Sequence, residues 1–401
     1  MVVNLETIKE AREIIKDEIF RTLLLPSKCL RNMHNNEIFI KPENLQKTGS
    51  FKVRGAYNKL ANLTEEEKSK GVIAASAGNH AQGVALAATS YGVESTIVMP
   101  VDAPTSKIIA TEGYGANVVL YGDTFDAACK KARELQKETG ATFLHAFNDD
   151  KVVSGQGTVG LEIIEELEDV DVIVVPIGGG GLIAGIAIAA KSLKPDVKII
   201  GVESENADSM KLSLNSGKVR ACEARATIAD GIAVNEPGQI TYDIVEEYVD
   251  DIITVTEDEI KKAIFTLVEK EKLIVEGAGS VAIAAIMAGK LNVKNSKIVA
   301  VVSGGNIDMN LVKNIIDSNL MDKGHLVEIK VSIPNKPGHL KALLEILATT
   351  KANISTISQT NIKPYIALGN VEVTLGLETR GAQHIEEIYE VLKHHNYDII
   401  K

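Results

Sequence analysis

Short β-branched runs alternate with longer amphipathic stretches from residue 37 to residue 302, and no other feature limits the fold as strongly. The strand candidates are residues 37–40, 72–75, 96–99, 117–121, 172–176, 198–202, 252–255 and 298–302. Helical patterns separate most of them, as at 149–168 and 257–271. Such alternation predicts an α/β fold of open, mostly parallel sheets with helices on both faces. The apolar runs are nearly continuous, as strands covered on both sides require.

Near residues 317–324 the pattern changes. The remaining residues read strand (325–333), helix (339–349), two strands (353–359 and 369–377), helix (383–395) and a short strand (398–400). That β-α-β-β-α-β order predicts a ferredoxin-like module. The expected organisation is a large domain over 1–316, with a smaller subdomain at about 45–150 inside it, a linker at 317–324 and a small domain at 325–401. A module of that size is marginal alone and is expected to dock or pair.

Composition removes several classes. The formal net charge of −11, with no long Lys/Arg run to offset it, excludes a nucleic-acid partner. Cys29, Cys129 and Cys222 are far apart in sequence, so neither a disulfide framework nor a cysteine zinc site is expected, and a cytoplasmic location fits. Residues 5–22 interleave Glu, Lys and Arg with Ile and Leu at helical spacing, unlike a signal peptide. Residues 172–190 carry no charge, but Pro176 and the glycines after it break any membrane helix. A buried strand, a glycine loop and a buried helix are expected instead.

Four segments could carry chemistry. In Ser50-Phe51-Lys52-Val53-Arg54-Gly55 a polar loop ends at Ser50, placed to cap a helix whose first turn holds Phe51 and Lys52. A lysine there opposes the helix dipole, which lowers its pKa as an imine-forming amine needs. Ser76-Ala77-Gly78-Asn79-His80 lies at a strand-to-helix turn whose backbone N–H groups could seat a carboxylate. Asn79 could donate to a cofactor oxygen, and His80 reads either as a base or as a structural histidine bonded to backbone. Gly178-Gly179-Gly180-Gly181-Leu182 could wrap a phosphate, and Gly179, Gly181 and Ala184 also match a dinucleotide fingerprint with Glu203 ending the next strand. Ser303-Gly304-Gly305-Asn306 comes at the C-terminal end of the strand at 298–302, where ligands gather in open α/β sheets.

In this order the four motifs resemble the fold-type II pyridoxal-phosphate enzymes, specifically threonine/serine dehydratases with a C-terminal ACT domain, over a stretch from about Ile8 to the end. The resemblance implies pyridoxal 5′-phosphate as cofactor, Lys52 as its Schiff-base lysine and Phe51 flanking the ring. It also implies Asn79 on the ring hydroxyl, Gly178, Gly179, Gly180, Gly181 and Leu182 on the phosphate, and Ser303 on the pyridine nitrogen. Ser76, Ala77, Gly78, Asn79 and His80 would surround the substrate carboxylate. A hydroxyl on the pyridine nitrogen makes the ring a weaker electron sink, which favours prompt loss of the β-hydroxyl.

The implied reaction is removal of water and ammonia from L-threonine, giving 2-oxobutanoate, with L-serine to pyruvate as a second activity. Ala77 stands where related serine racemases carry a second acid/base Ser, so racemisation is the less favoured alternative. No metal is expected, because Ser209 lacks the carboxylate that related cation sites use, and Glu203 and Asp208 read as loop residues. The 325–401 module resembles an ACT regulatory domain, which implies pairing into a homodimer or homotetramer and control by an amino acid such as isoleucine or valine. A nicotinamide oxidoreductase built on the glycine loop and a non-catalytic amino-acid sensor are the readings from other classes.

Overall fold

The computed structural model describes residues 3–361 and 366–400. It divides into two compact units, Met1–Ile307 and Asp308–Lys401.

The first unit holds two sheets. In the larger, Glu37–Pro42, Lys297–Val302, Val172–Pro176, Lys198–Ser204 and Asp251–Val255 lie side by side in that order, all parallel. Leu25–Pro26 adds an antiparallel edge to Glu37–Pro42. The smaller sheet is wholly parallel, in the order Asn117–Leu120, Ser95–Met99, Val72–Ala75 and Thr142–Phe143. The strands at Val72–Ala75 and Val172–Pro176 are buried at every position, which is why their sequences do not alternate. Their residues join two large apolar cores, one around Val175, Ile183 and Val299 and one around Val53, Ala74 and Val84. Among the described residues no helix is long and apolar enough to cross a membrane. The uncharged segment at 172–190 is the strand Val172–Pro176, the glycine loop and the start of helix Gly181–Leu193.

The second unit opens with helix Met309–Asp322 and continues as strand Leu326–Pro334, helix His339–Thr350, strands Asn353–Thr360 and Asn370–Glu378, helix Ala382–His394 and strand Asp398–Ile400. These four strands form one antiparallel sheet with Leu326–Pro334 and Asn370–Glu378 in the middle. Its core packs Val331, Val373 and Leu375 against Leu343, Leu347 and Ile388.

Three expectations need correction. Residues 317–324, expected as a linker, belong to the second unit, and helix Met309–Asp322, capped by Asp308, covers 317–322 of them. Asn319, within that segment, is buried, and its amide donates to the Ile315 carbonyl one turn back. The N-terminal helix stops at Ile15 rather than reaching residue 22. Beyond it, the Gln46 side chain bonds both the N–H and the carbonyl of Phe20 and holds the chain out of the helix. Glu203 is not in a loop: it lies in strand Lys198–Ser204, fully buried, and its carboxylate accepts the N–H groups of Met210 and Lys211 at 2.9 Å each. Helix Ser209–Ser216 is therefore capped from a neighbouring strand, and Asp208 holds its N-cap position without a side-chain bond. A carboxylate committed in this way is not free for a ribose, which removes the acidic partner of the dinucleotide reading.

Candidate active site

Four helix N-termini frame the site: those of Lys52–Ala61, Asn79–Ser90, Gly181–Leu193 and Gly277–Met287. None has a side-chain cap. Elsewhere in the unit, Asn4, Thr64, Thr124, Asp149 and Thr256 cap their helices by side-chain bonds, while Thr105–Gly113, Ser209–Ser216 and Gln239–Tyr248 also start without a side-chain bond from the cap residue. Uncapped ends keep their backbone N–H groups and positive dipole for a ligand, and the ligand they favour is an anion.

Lys52 is the first residue of its helix. Ser50, expected as the cap, is not one: it pairs with Gly304 in an antiparallel bridge and its buried hydroxyl has no partner. Phe51 occupies the cap position and its N–H donates to the Ser303 carbonyl at 3.1 Å, which ties the lysine loop to the end of the last strand. Ser303 is almost fully buried. The Lys52 ammonium donates to the Ala146 carbonyl at 3.1 Å and stands 5.1 Å from the centre of the Phe51 ring. Burial pushes the amine down to about 8, against an upward pull from Glu276.

Ala146 is followed by Phe147, and that ring lies on the glycine loop. A Cβ built on Gly179 would sit 2.3 Å from Phe147 Cδ1, and one on Gly181 would meet Phe147 Cβ at 3.0 Å. Gly180 adopts φ +91° and its Cβ would strike Met210 and Thr241. The loop can take this path only as glycine. Its shape is pinned from behind by the Thr241 hydroxyl, which donates to the Gly179 carbonyl at 2.6 Å. Lysine and glycine loop thus share the 146–147 segment as a common wall. An amine held against an uncapped helix end lined by main chain fits an aldehyde cofactor that carries a phosphate. Gly179→Ala should cost about 1–3 kcal/mol of overpacking, so cofactor retention on dialysis is expected to weaken by on the order of tenfold or more.

The segment Ser76–His80 forms the start of helix Asn79–Ser90, with Gly78 at the cap position. The Gly78 N–H turns back to the Ser76 hydroxyl at 3.2 Å, and Ala77 brings only a methyl group. The imidazole of His80 is buried with its Nε2 2.9 Å from the Leu144 carbonyl, so it donates there. Burial and the nearby Lys52 push it down to about 3, which keeps it neutral. The bond to the Leu144 carbonyl fits the structural reading of His80. Helix Asn79–Ser90 also touches the lysine helix backbone to backbone: a Cβ on Gly83 would lie 3.2 Å from the Lys52 carbonyl carbon.

Asn79 brings in two residues whose roles the sequence did not suggest. Its Nδ2 donates to Glu276 Oε1 at 2.6 Å, and its Oδ1 accepts from Asn306 Nδ2 at 2.7 Å. Asn306 closed the fourth motif, but nothing in the sequence tied it to Asn79. The only hint of Glu276 is its place before Gly277-Ala278-Gly279 at a helix start. Above them, Lys107 and Asp230 form an ion pair at 2.9 Å between helix Thr105–Gly113 and the turn Asp230–Ile232.

Two mostly parallel sheets with helices around them, and a buried lysine that shares the 146–147 wall with a glycine-lined helix start, fit a fold-type II pyridoxal-phosphate enzyme. The profile of pyridoxal-phosphate dependent enzymes matches residues 15–304, and the chain belongs to that family. Among individual proteins it is similar to the L-threonine ammonia-lyase of Thermotoga maritima, 49% identical over 99% of both chains. The L-threonine ammonia-lyase of Geobacter sulfurreducens is 45% identical over 98% of both. The catabolic L-threonine dehydratase of Escherichia coli K12 is 48% identical but aligns with only 78% of this chain, covering 96% of its own length. Of solved structures, the processed threonine deaminase isoform 2 of Solanum lycopersicum superposes with TM-score 0.76 at 41% identity, covering 80% of this chain and 88% of that one. Maize serine racemase gives TM-score 0.75 at 36% identity, covering 80% and 99%.

Proposed function

We propose that this protein is an L-threonine ammonia-lyase, which removes water and ammonia from L-threonine to yield 2-oxobutanoate, with L-serine a second substrate. The carrying observation is the amine of Lys52, desolvated to about 8 and held against the 146–147 wall of the glycine loop. A base poised near neutrality at a helix start suits abstraction of a proton from the α-carbon. Pyridoxal phosphate, when bound, supplies the electron-withdrawing ring that acidifies that carbon. In this reading Gly178 through Leu182 hold the phosphate, Phe51 flanks the ring, Asn79 meets its hydroxyl and Ser303 its nitrogen. The turn Ser76, Ala77, Gly78, Asn79 and His80 seats the substrate carboxylate with main-chain N–H groups. Ala77 offers no proton to the second face of the substrate, which favours elimination over racemisation.

The 325–401 segment fits an ACT module that pairs subunits and takes an amino-acid effector in a cytoplasmic homo-oligomer. Relatives alike in length to this chain carry the L-threonine ammonia-lyase name, which supports the activity for the whole chain. A steady-state assay of L-threonine and L-serine, each with and without isoleucine and valine, tests both parts. Turnover of neither substrate overturns the activity. Rates and cooperativity indifferent to both additions remove the effector.

A further inference from the structure

We propose that Glu276 is a positioning residue: its carboxyl fixes which way the Asn79 amide points and couples the protonation around Lys52 to the pH. The proposal rests on Asn79 meeting the cofactor's ring hydroxyl.

The amide of Asn79 is locked from both ends. Asn306 Nδ2 is itself oriented by the Thr48 carbonyl at 2.8 Å, so the group it presents to Asn79 is a donor and Asn79 answers with its oxygen. The NH2 end of Asn79 must then face Glu276, which accepts one proton and leaves the other for the site. Without an acceptor at 276 the lock is one-sided. Room for the carboxyl comes from glycine: a Cβ on Gly304 would lie 2.3 Å from Glu276 Oε1, and the Gly304 carbonyl takes the Glu276 N–H at 3.2 Å. Ser303-Gly304-Gly305-Asn306 thereby acquires a reason for its glycine, since it surrounds this carboxyl.

The charges around Glu276 are few. Burial pushes it up to about 7 and Asp230 adds to that, while the Asn79 bond, Lys107 and the Asn306 N–H oppose it. Lys52 feels its charge in turn. Above pH 7 the carboxylate is a pure acceptor for the Asn79 amide; below it the carboxyl holds a proton that competes with that amide. The proton balance of the ring hydroxyl and of the lysine nitrogen must change across that pH, and the absorbance of the bound cofactor reports the change.

The experiment is a spectral pH titration of the holoenzyme without substrate, in the wild type and in Glu276→Gln, which keeps an acceptor but cannot ionise. The wild-type ratio of visible to near-ultraviolet absorbance should titrate near pH 7, and Glu276→Gln should lose that transition. Retention of the wild-type transition in Glu276→Gln overturns the proposal. Two surface variants keep the test open if that protein does not fold. Asp230→Asn removes a like charge and should move the midpoint down, and Lys107→Ala should move it up. Midpoints that stay fixed in both overturn the proposal. A wild-type holoenzyme with no borohydride-sensitive visible band overturns this inference together with the reading it rests on. An intact band with an unaltered Glu276→Gln titration overturns the inference alone.

Discussion

Lys52→Ala is expected to fold, to lose the borohydride-sensitive visible absorbance, and to turn over L-threonine about 10⁴-fold more slowly, at the upper end of what one positioned acid-base group contributes. The methyl group leaves the neighbouring walls in place: Phe51 keeps its bond to Ser303 and Phe147 keeps its seat on the glycine loop. Stability separates lost chemistry from lost structure. The folded amine sits near 8 against 10.5 unfolded, so the unfolded chain binds the extra proton between those values. This group therefore makes the cofactor-free wild type more stable as pH rises from about 8 to about 10.5, and below that window it is a burden. The alanine protein should lack that rise and be no less stable than the wild type at pH 7. A variant with normal turnover removes Lys52 from the mechanism, whatever its colour.

Arg54→Met should destabilise the first unit by about 3–5 kcal/mol, the usual consequence of stripping one partner from a buried ion pair. Arg54 is fully buried two residues beyond Lys52. Its guanidinium spans Glu43, with Nε and Nη2 each 2.8 Å from an oxygen, and Glu162, at 2.6 and 2.9 Å. Lys41 adds a second cation, 2.7 Å from Glu162. Burial alone would raise the Glu43 carboxyl, but Arg54 and Lys41 hold it below its ordinary value. In the wild type this carboxylate contributes stability above the unfolded value of 4.5 that is lost as pH falls through its lower folded value. With methionine at 54 the sign reverses. Glu43 and Glu162 are then left with Lys41 as their one close cation, so the deficit should be largest at neutral pH and should shrink as acid protonates Glu43. Chemical denaturation at pH 5 and pH 8 measures it. A deficit that grows toward pH 5 contradicts the charge argument, and adding Glu43→Gln to Arg54→Met should recover part of the loss at pH 8.

The strand run was legible because buried parallel strands announce themselves by composition: Val72–Ala75 and Val172–Pro176 have the bounds that the sequence suggests. Two-residue strands such as Leu25–Pro26 and Thr142–Phe143 are too short for any periodicity to mark them. In the site, the glycine loop and the lysine segment were legible because backbone geometry restricts the residues allowed there. The partners of those segments were not. Glu276 lies 197 positions from Asn79 and Glu162 lies 108 from Arg54, and nothing local distinguishes a glutamate that will be buried from one that will be solvated. Arg54 itself was in view throughout, two residues from Lys52, and its task shows only when the helix Asp150–Glu166 packs behind it. Ser50 misled for the opposite reason: a good local capping residue was claimed by pairing with a distant strand end.

The approach of Gly83 to the main chain of Lys52 acts as a ruler. Because two helices touch there through backbone atoms, the span from the amine-bearing residue to the N–H groups that open helix Asn79–Ser90 cannot be lengthened by a side-chain rotation. In an enzyme of the proposed activity that span would set the distance from the nitrogen-bearing carbon to the carboxylate, which all α-amino acids share and every β-amino acid exceeds by one bond. Substrate backbone would then be selected by rigid scaffold, leaving the choice among side chains to softer walls elsewhere.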